Sequence, residues 1–149
     1  MRAVVQRVIE ASVTVQGAVV GAIGSGLCVL LSVGQDDDDR DLDVMVGKIA
    51  GLRVFADEQG RMNLDVSAAG GDVLVISQFT LHGDVRRGKR PSFISAMAPE
   101  TARQMVDTVC QRLRDRGLVV AEGVFAADMQ VRLCNDGPVT ILIDSKKTF

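Results

Sequence analysis

Along this chain β-branched runs come first, followed by glycine-punctuated turns and then two stretches of helical periodicity. Residues 2–9 (Arg-Ala-Val-Val-Gln-Arg-Val-Ile) and 12–16 (Ser-Val-Thr-Val-Gln) are rich in strand-forming side chains. In the second run Val13 and Val15 alternate with polar neighbours, the pattern of a half-buried strand. Gly17, Gly21, Gly24 and Gly26 then predict a hairpin and a second tight turn before Leu27–Val33, a fully apolar buried strand. Leu42, Met45, Val46, Ile49 and Leu52 recur at helical spacing. Asp57-Glu58-Gln59-Gly60 marks a turn within Val54–Asp65, Gly70-Gly71 ends the next loop, and Asp72–Ile76 is another strand. Residues 82–98 lack periodicity and read as a functional loop. A second helix opens at Pro99-Glu100 and runs to about Gly117, with Ala102, Met105, Val106, Val109 and Leu113 on its apolar face. Pro99 suits a first-turn position and Gly117 a C-cap. Leu118–Val120, Met129–Leu133 and Val139–Ile143 complete the strands, the last two separated by a short turn. Early hairpins and this closing turn favour a mostly antiparallel α+β fold over a doubly wound parallel sheet.

Composition narrows the function classes. The 149 residues suggest one domain, 1–149, with room for a real core. Five Phe and no Trp or Tyr leave Val, Leu, Ile, Ala and Met to build it, and argue against an RRM-type base-stacking platform. A net charge of −2 means that any nucleic-acid role needs local basic patches. The candidates are Arg86, Arg87, Lys89 and Arg90, and the pair Lys146-Lys147, each weighed against a solvated loop or tail. Cys28, Cys110 and Cys134 are dispersed among apolar residues and read as buried free thiols in a reducing compartment. No signal-like segment or bilayer-length apolar run is visible, so no membrane association and a cytoplasmic location are expected.

Several chemistries fail on spacing. Gly24-Ser25-Gly26 lacks the third glycine of a dinucleotide loop and precedes a strand. Asp36 to Asp39 are not spaced as Ca²⁺ ligands; they suit a helix N-terminus, where the macrodipole favours acids. One His and three scattered Cys make no zinc site, so neither a metal nor a cofactor is expected. Ser77 and Thr80 are hydroxyls at a strand end, and a hydroxyl is a poor nucleophile without an adjacent base. His82 lies two residues after Thr80, where a strand would put both on one face, but no nucleophile elbow accompanies them. Backbone hydrogen bonding by Ser77 and Thr80, and an idle loop histidine, are the plainer readings.

Two segments carry more: Ser77-Gln78-Phe79-Thr80-Leu81 and Asn135-Asp136-Gly137-Pro138-Val139-Thr140, each following an apolar strand-like run. Together with Met1–Val8, Asp57–Leu64, Gly88-Lys89-Arg90-Pro91-Ser92-Phe93 and Met129, in that chain order, they make the sequence resemble the D-aminoacyl-tRNA deacylases over essentially its whole length. One departure is Phe125-Ala126-Ala127, where the family more often has Phe-Gly-Ala; the added methyl could narrow the pocket or shift its loop.

The resemblance implies a barrel-like roll of mostly antiparallel sheets with two main helices. It also implies hydrolysis of the ester between a D-amino acid and tRNA, in translation quality control. It further implies a homodimer in which Ser77–Leu81 of one subunit faces a cis Gly137-Pro138 of the other. That backbone wedge stands where an L-side chain would project, and collision discriminates better than a missing apolar contact. Glycine has nothing to reject, so glycyl-tRNA, such as that mischarged on tRNA(Ala), is an expected substrate. Ser77, Gln78, Phe79 and Thr80 are then the catalytic candidates. The amides around Phe79 and Thr80 would form an oxyanion hole, and the terminal 2′-hydroxyl would assist water, in preference to Thr80 as a nucleophile. Gly137 and Pro138 provide chiral selection, with Met129 and Arg7 shaping the pocket, and Arg86, Arg87, Lys89 and Arg90 contact the tRNA backbone. Two other classes stay open at this point: a non-enzymatic nucleic-acid-binding dimer, which has no need of Gly137-Pro138, and a Ser/Thr esterase, which needs His82.

Overall fold

A computed structural model describes residues 1–149. One long first strand, β1 (Arg2–Val15), organises the sheet. Through Arg2–Val8 it pairs with β3 (Gly26–Ser32), and through Ala11–Val15 with β2 (Ala18–Ile23), so it joins two segments that the sequence separates at residues 10–11. Its other edge pairs with β8 (Gln130–Asp144) over almost its full length. All three pairings of β1 are antiparallel. The strands on the far side run parallel: β3 with β6 (Asp72–Ser77), and β6 with β7 (Val120–Glu122). The sheet is therefore mixed. Helix α1 (Asp39–Gly51) links β3 to β6 and α2 (Pro99–Asp115) links β6 to β7, and a helical crossover is what joins parallel neighbours. A small hairpin of β4 (Phe55–Ala56) and β5 (Met62–Leu64) carries the Asp57–Gly60 turn outside this sheet.

The sheet curls until β2 meets β6 and β7. Gly21 marks the closest approach, since a Cβ there would lie 2.5 Å from the Glu122 carbonyl oxygen. Strand alternation divides the core in two. Leu27, Val29, Leu31, Val73 and Val75 face the helices and meet Leu42, Met45, Ile49, Val109 and Leu113. Cys28, Leu74 and Ile76 face the inside of the roll and meet Val8, Ala11, Val13 and Ile23. Strands β3 and β6 are thus covered on both faces, which explains their unbroken apolar sequence.

The helix ends follow their sequence signals. Asp38 caps α1, accepting from the Arg40 and Asp41 amides at 2.8 and 3.2 Å, while Asp41 accepts from the Asp38 amide at 3.0 Å. Pro99 opens α2, and Gly117 follows its end with φ +84°. Asp41 also pairs with Lys146 at 2.6 Å, fastening the C-terminal segment to α1. Burial alone would raise its pKa, but the bonds from Lys146, Ser145 and the Asp38 amide bring it down to about 2. Lys146 is consequently an ion-pair partner, not half of an open basic patch.

Three sequence expectations need correction here. No turn separates two final strands: β8 is continuous through Asn135–Thr140, with register shifts against β1 between Gln6 and Val8 and between Val8 and Glu10. Cys28 and Cys110 are buried, and desolvation raises their thiols to about 11 and 12, but Cys134 is exposed on β8. Residues 79–82 do not extend the strand; they wind into a 3-10 turn, Phe79–His82.

Candidate active site

Parallel strands β3 and β6 end side by side, and a cavity of about 650 Å³ opens beyond their carboxyl ends. Its floor is Leu31, Ser32, Ile76 and Ser77; its walls come from Phe93–Pro99, the first turns of α2, and Phe125–Met129. Most of the lining is apolar, as in small-molecule sites where a few polar groups orient the ligand. Ser77, Gln78, Phe79 and Met129 all line it, and Thr80 follows at the exposed start of the turn.

Several bonds fix that turn. The Gln78 amide donates to Leu31 O at 2.7 Å, anchoring the exit of β6 on β3. Arg2 Nη1 donates to Leu81 O at 3.0 Å. Inside the turn the Leu81 amide reaches Gln78 O at 3.2 Å. Phe79 and Thr80 stand ahead of that first internal bond, so no preceding carbonyl of the turn takes their N–H groups. Gln78 Nε2 donates to Thr80 Oγ1. The hydroxyl therefore receives a hydrogen bond from an amide and has no base to remove its proton.

His82 cannot be that base. It is 8 % exposed, and its Nδ1 lies 2.6 Å from Ser32 Oγ, beneath the turn. The one-face alignment of Thr80 and His82 expected of a strand fails because the backbone coils at Phe79. Desolvation, reinforced by the Arg2 guanidinium, lowers the His82 pKa from its ordinary value, with Asp37 and Asp144 pulling the other way. The imidazole is a neutral packing and hydrogen-bonding group. Ser32, Phe93, Met97 and Phe125 are site residues that periodicity does not single out. Ser32 ends an apolar strand and Phe93 sits in an aperiodic loop, and only the folded loop brings them to the cavity.

Gly137 and Pro138 do not line this cavity. They are exposed on β8, on the part of the strand where its register with β1 shifts, and the peptide between them is cis. Asn135 Nδ2 donates to Arg7 O and Val139 O, both at 2.9 Å, which holds the distorted backbone from inside. Arg7 Nε donates to Asp136 O at 3.1 Å and lies 3.2 Å from Asp136 Oδ2, while Nη1 donates to Val54 O at 2.5 Å. Arg7 thus braces the Gly137-Pro138 segment from behind and lines no part of the cavity. Gly137 has φ +125°, and a Cβ on it would lie 2.8 Å from Arg7 Nη2 and 2.9 Å from a Val139 methyl. No other residue fits there without moving the brace.

Arg86, Arg87, Lys89 and Arg90 are all exposed at the tip of a loop closed by reciprocal backbone bonds between Asp84 and Ser92, at 2.8 and 2.9 Å. Arg86 is spent on Asp84, whose pKa its side chain and amide bring down to about 2. Arg87, Lys89 and Arg90 have no acidic partner. No helix is long and apolar enough to cross a membrane.

Comparison with known proteins gives a consistent set. Residues 4–144 match the family model described as D-Tyr-tRNA(Tyr) deacylase. A D-aminoacyl-tRNA deacylase of Desulfitobacterium hafniense (strain DSM 10664 / DCB-2) is 58 % identical over 149 residues, covering 100 % of both chains. One of Anaeromyxobacter dehalogenans (strain 2CP-C) is 57 % identical over the same full lengths. Among solved structures, c-Myc DNA Unwinding Element Binding Protein superposes with TM-score 0.92 at 44 % identity, covering 97 % of this chain and 98 % of that one. A probable eukaryotic D-amino acid tRNA deacylase shares the fold, with TM-score 0.81 at 19 % identity over 95 % of this chain and 97 % of that one.

Proposed function

This chain belongs to the D-Tyr-tRNA(Tyr) deacylase family, and from that membership and the site geometry we propose how it works as a D-aminoacyl-tRNA deacylase. It is an ester hydrolase that releases a D-amino acid from tRNA. The carrying observation is the pair of free amides on Phe79 and Thr80 at the mouth of an apolar cavity, beside a threonine hydroxyl that has no base.

An aminoacyl ester is activated and needs less help than an amide. Donors aimed at the carbonyl oxygen stabilise the charge that develops there, and a dry site strengthens them. Ser77 and Gln78 set the position of the turn, and Gln78 also holds the Thr80 side chain. Water, assisted by the 2′-hydroxyl of the terminal adenosine, is the nucleophile.

Chirality is read by backbone. Gly137-Pro138 is exposed and does not line its own cavity; in this reading the segment that completes the cavity comes from a second copy, and the active unit is a homodimer. Arg7 and Asn135 hold the segment stiff, and stiffness is what makes a steric wedge selective. An L-side chain meets the wedge; a D-side chain points elsewhere; glycine has none. Glycyl-tRNA, including that formed on tRNA(Ala), is therefore a substrate. Met129 lines the cavity wall against the substrate, and Arg87, Lys89 and Arg90 contact phosphates, with Arg86 as the root of their loop.

The direct test is release of free amino acid from matched D- and L-aminoacyl-tRNA. Hydrolysis of the D form alone is expected; equal hydrolysis of both would remove the chirality reading, and hydrolysis of neither the activity.

A further inference from the structure

The chain has five phenylalanines, and three of them, Phe79, Phe93 and Phe125, line one cavity. Phe125 is half-buried in the wall, but Phe79 is 57 % exposed and Phe93 36 % exposed. Their rings meet edge to face, with centroids 5.0 Å apart and planes at 71°. This contact ties the basic loop to the turn that carries the free amides. Ile94, 83 % exposed, extends the apolar rim on the loop side. Beyond it, the same loop raises Arg87, Lys89 and Arg90, which have no acidic partner.

We propose that the Phe79–Phe93 rim and the loop behind it form a second nucleotide subsite, which takes the base preceding the esterified terminal nucleoside. This inference rests on the deacylase reading of the site. A cavity of about 650 Å³ has the size of a site for one drug-sized ligand, so an aminoacyl nucleoside fills it and the next nucleotide emerges at the rim. The 3′ end of a tRNA is single-stranded. Single-stranded nucleic acid binds where aromatic faces accept bases beside a cationic track, and stacking needs no base-specific hydrogen bonds. Both parts are present within one loop: ring and aliphatic surface at Phe93-Ile94, cations at 87–90. Charge supports the choice of occupant. The three unpaired cations suit the phosphate that joins the last two nucleotides, in a chain whose net charge is −2.

The test compares two esters: D-alanyl-adenosine and the D-alanyl ester of the dinucleotide cytidylyl-adenosine. For wild type, kcat/KM for the dinucleotide should exceed that for the mononucleoside by about tenfold, within the 5–150-fold that one stacked base supplies. Phe93→Leu should bring that ratio close to one, while Phe93→Tyr, which keeps a ring, should preserve it. A wild-type ratio near one overturns the subsite while leaving the deacylase reading intact. So does a Phe93→Leu variant that loses activity on both esters by the same factor, because that pattern means damage to the turn. Failure of wild type on both esters and on D-aminoacyl-tRNA would remove the parent reading and this inference with it.

Discussion

At the residue scale the proposed chemistry rests on atoms that every residue has. In that proposal Phe79 and Thr80 contribute N–H groups, Gly137 and Pro138 contribute backbone shape, and the conspicuous side chains serve these. Thr80 Oγ1 is bonded by Gln78, and His82 is occupied by Ser32. Thr80→Ala is therefore expected to stay within about tenfold of wild type in single-turnover hydrolysis, since a lost neutral hydrogen bond is worth about 0.5–1.5 kcal/mol. A fall of several orders of magnitude with tRNA binding intact would restore the nucleophile. Ala126 makes a different prediction. It holds φ +61° on the cavity wall, a backbone conformation that favours glycine. Left-handed backbone costs an L-residue about 1–2 kcal/mol, partly offset by the greater unfolded-state freedom of glycine. Ala126→Gly should raise the urea-unfolding free energy by about 0.5–1 kcal/mol; a decrease would show that the methyl packs productively.

At the scale of elements, the sequence was most readable where a single period governs. The helical spacing of Leu42 to Leu52, the Pro99 start and the Gly117 stop, and the apolar run Leu27–Val33 all correspond to observed elements. Reading failed where tertiary pairing overrides local signals. Gly137-Pro138 carries turn chemistry, yet β1 pairs with β8 on both sides of it, and Arg7 and Asn135 absorb the distortion. Cys134 has an apolar neighbour in Leu133 but falls on the outward face of β8. The basic cluster could be seen as a cluster, but not that Asp84 removes Arg86 from it. If the remaining three cations each neutralise one phosphate, Arg87→Ala, Lys89→Ala and Arg90→Ala together should reduce the slope of log affinity against log salt by about two to three. An unchanged slope would return this loop to the status of solvated surface.

At the scale of the whole molecule, the roll places cavity and wedge on different parts of one chain. The fold is complete with one copy; in the proposed mechanism the site is not. Phe79→Pro removes one amide donor at the first position of a short helix, where proline is tolerated, and should lower kcat by about 10²–10³-fold. Gly137→Ala disables the other half. If cavity and wedge come from different subunits, mixed dimers of these two variants regain D-aminoacyl-tRNA hydrolysis that neither variant shows alone, because one of their two sites is intact. Mixed dimers as inactive as the parents would place both halves of a site in one chain.

The selection of D over L by a backbone wedge is tested most directly by hydrolysis of matched D-aminoacyl-, L-aminoacyl- and glycyl-tRNA by wild type and Gly137→Ala. Wild type should cleave the D and glycyl esters and spare the L ester, and Gly137→Ala, whose Cβ would press on Arg7 and Val139, should be impaired while still binding tRNA. Wild type that treats glycyl- and L-alanyl-tRNA alike, or a Gly137→Ala enzyme of undiminished activity and selectivity, would contradict it.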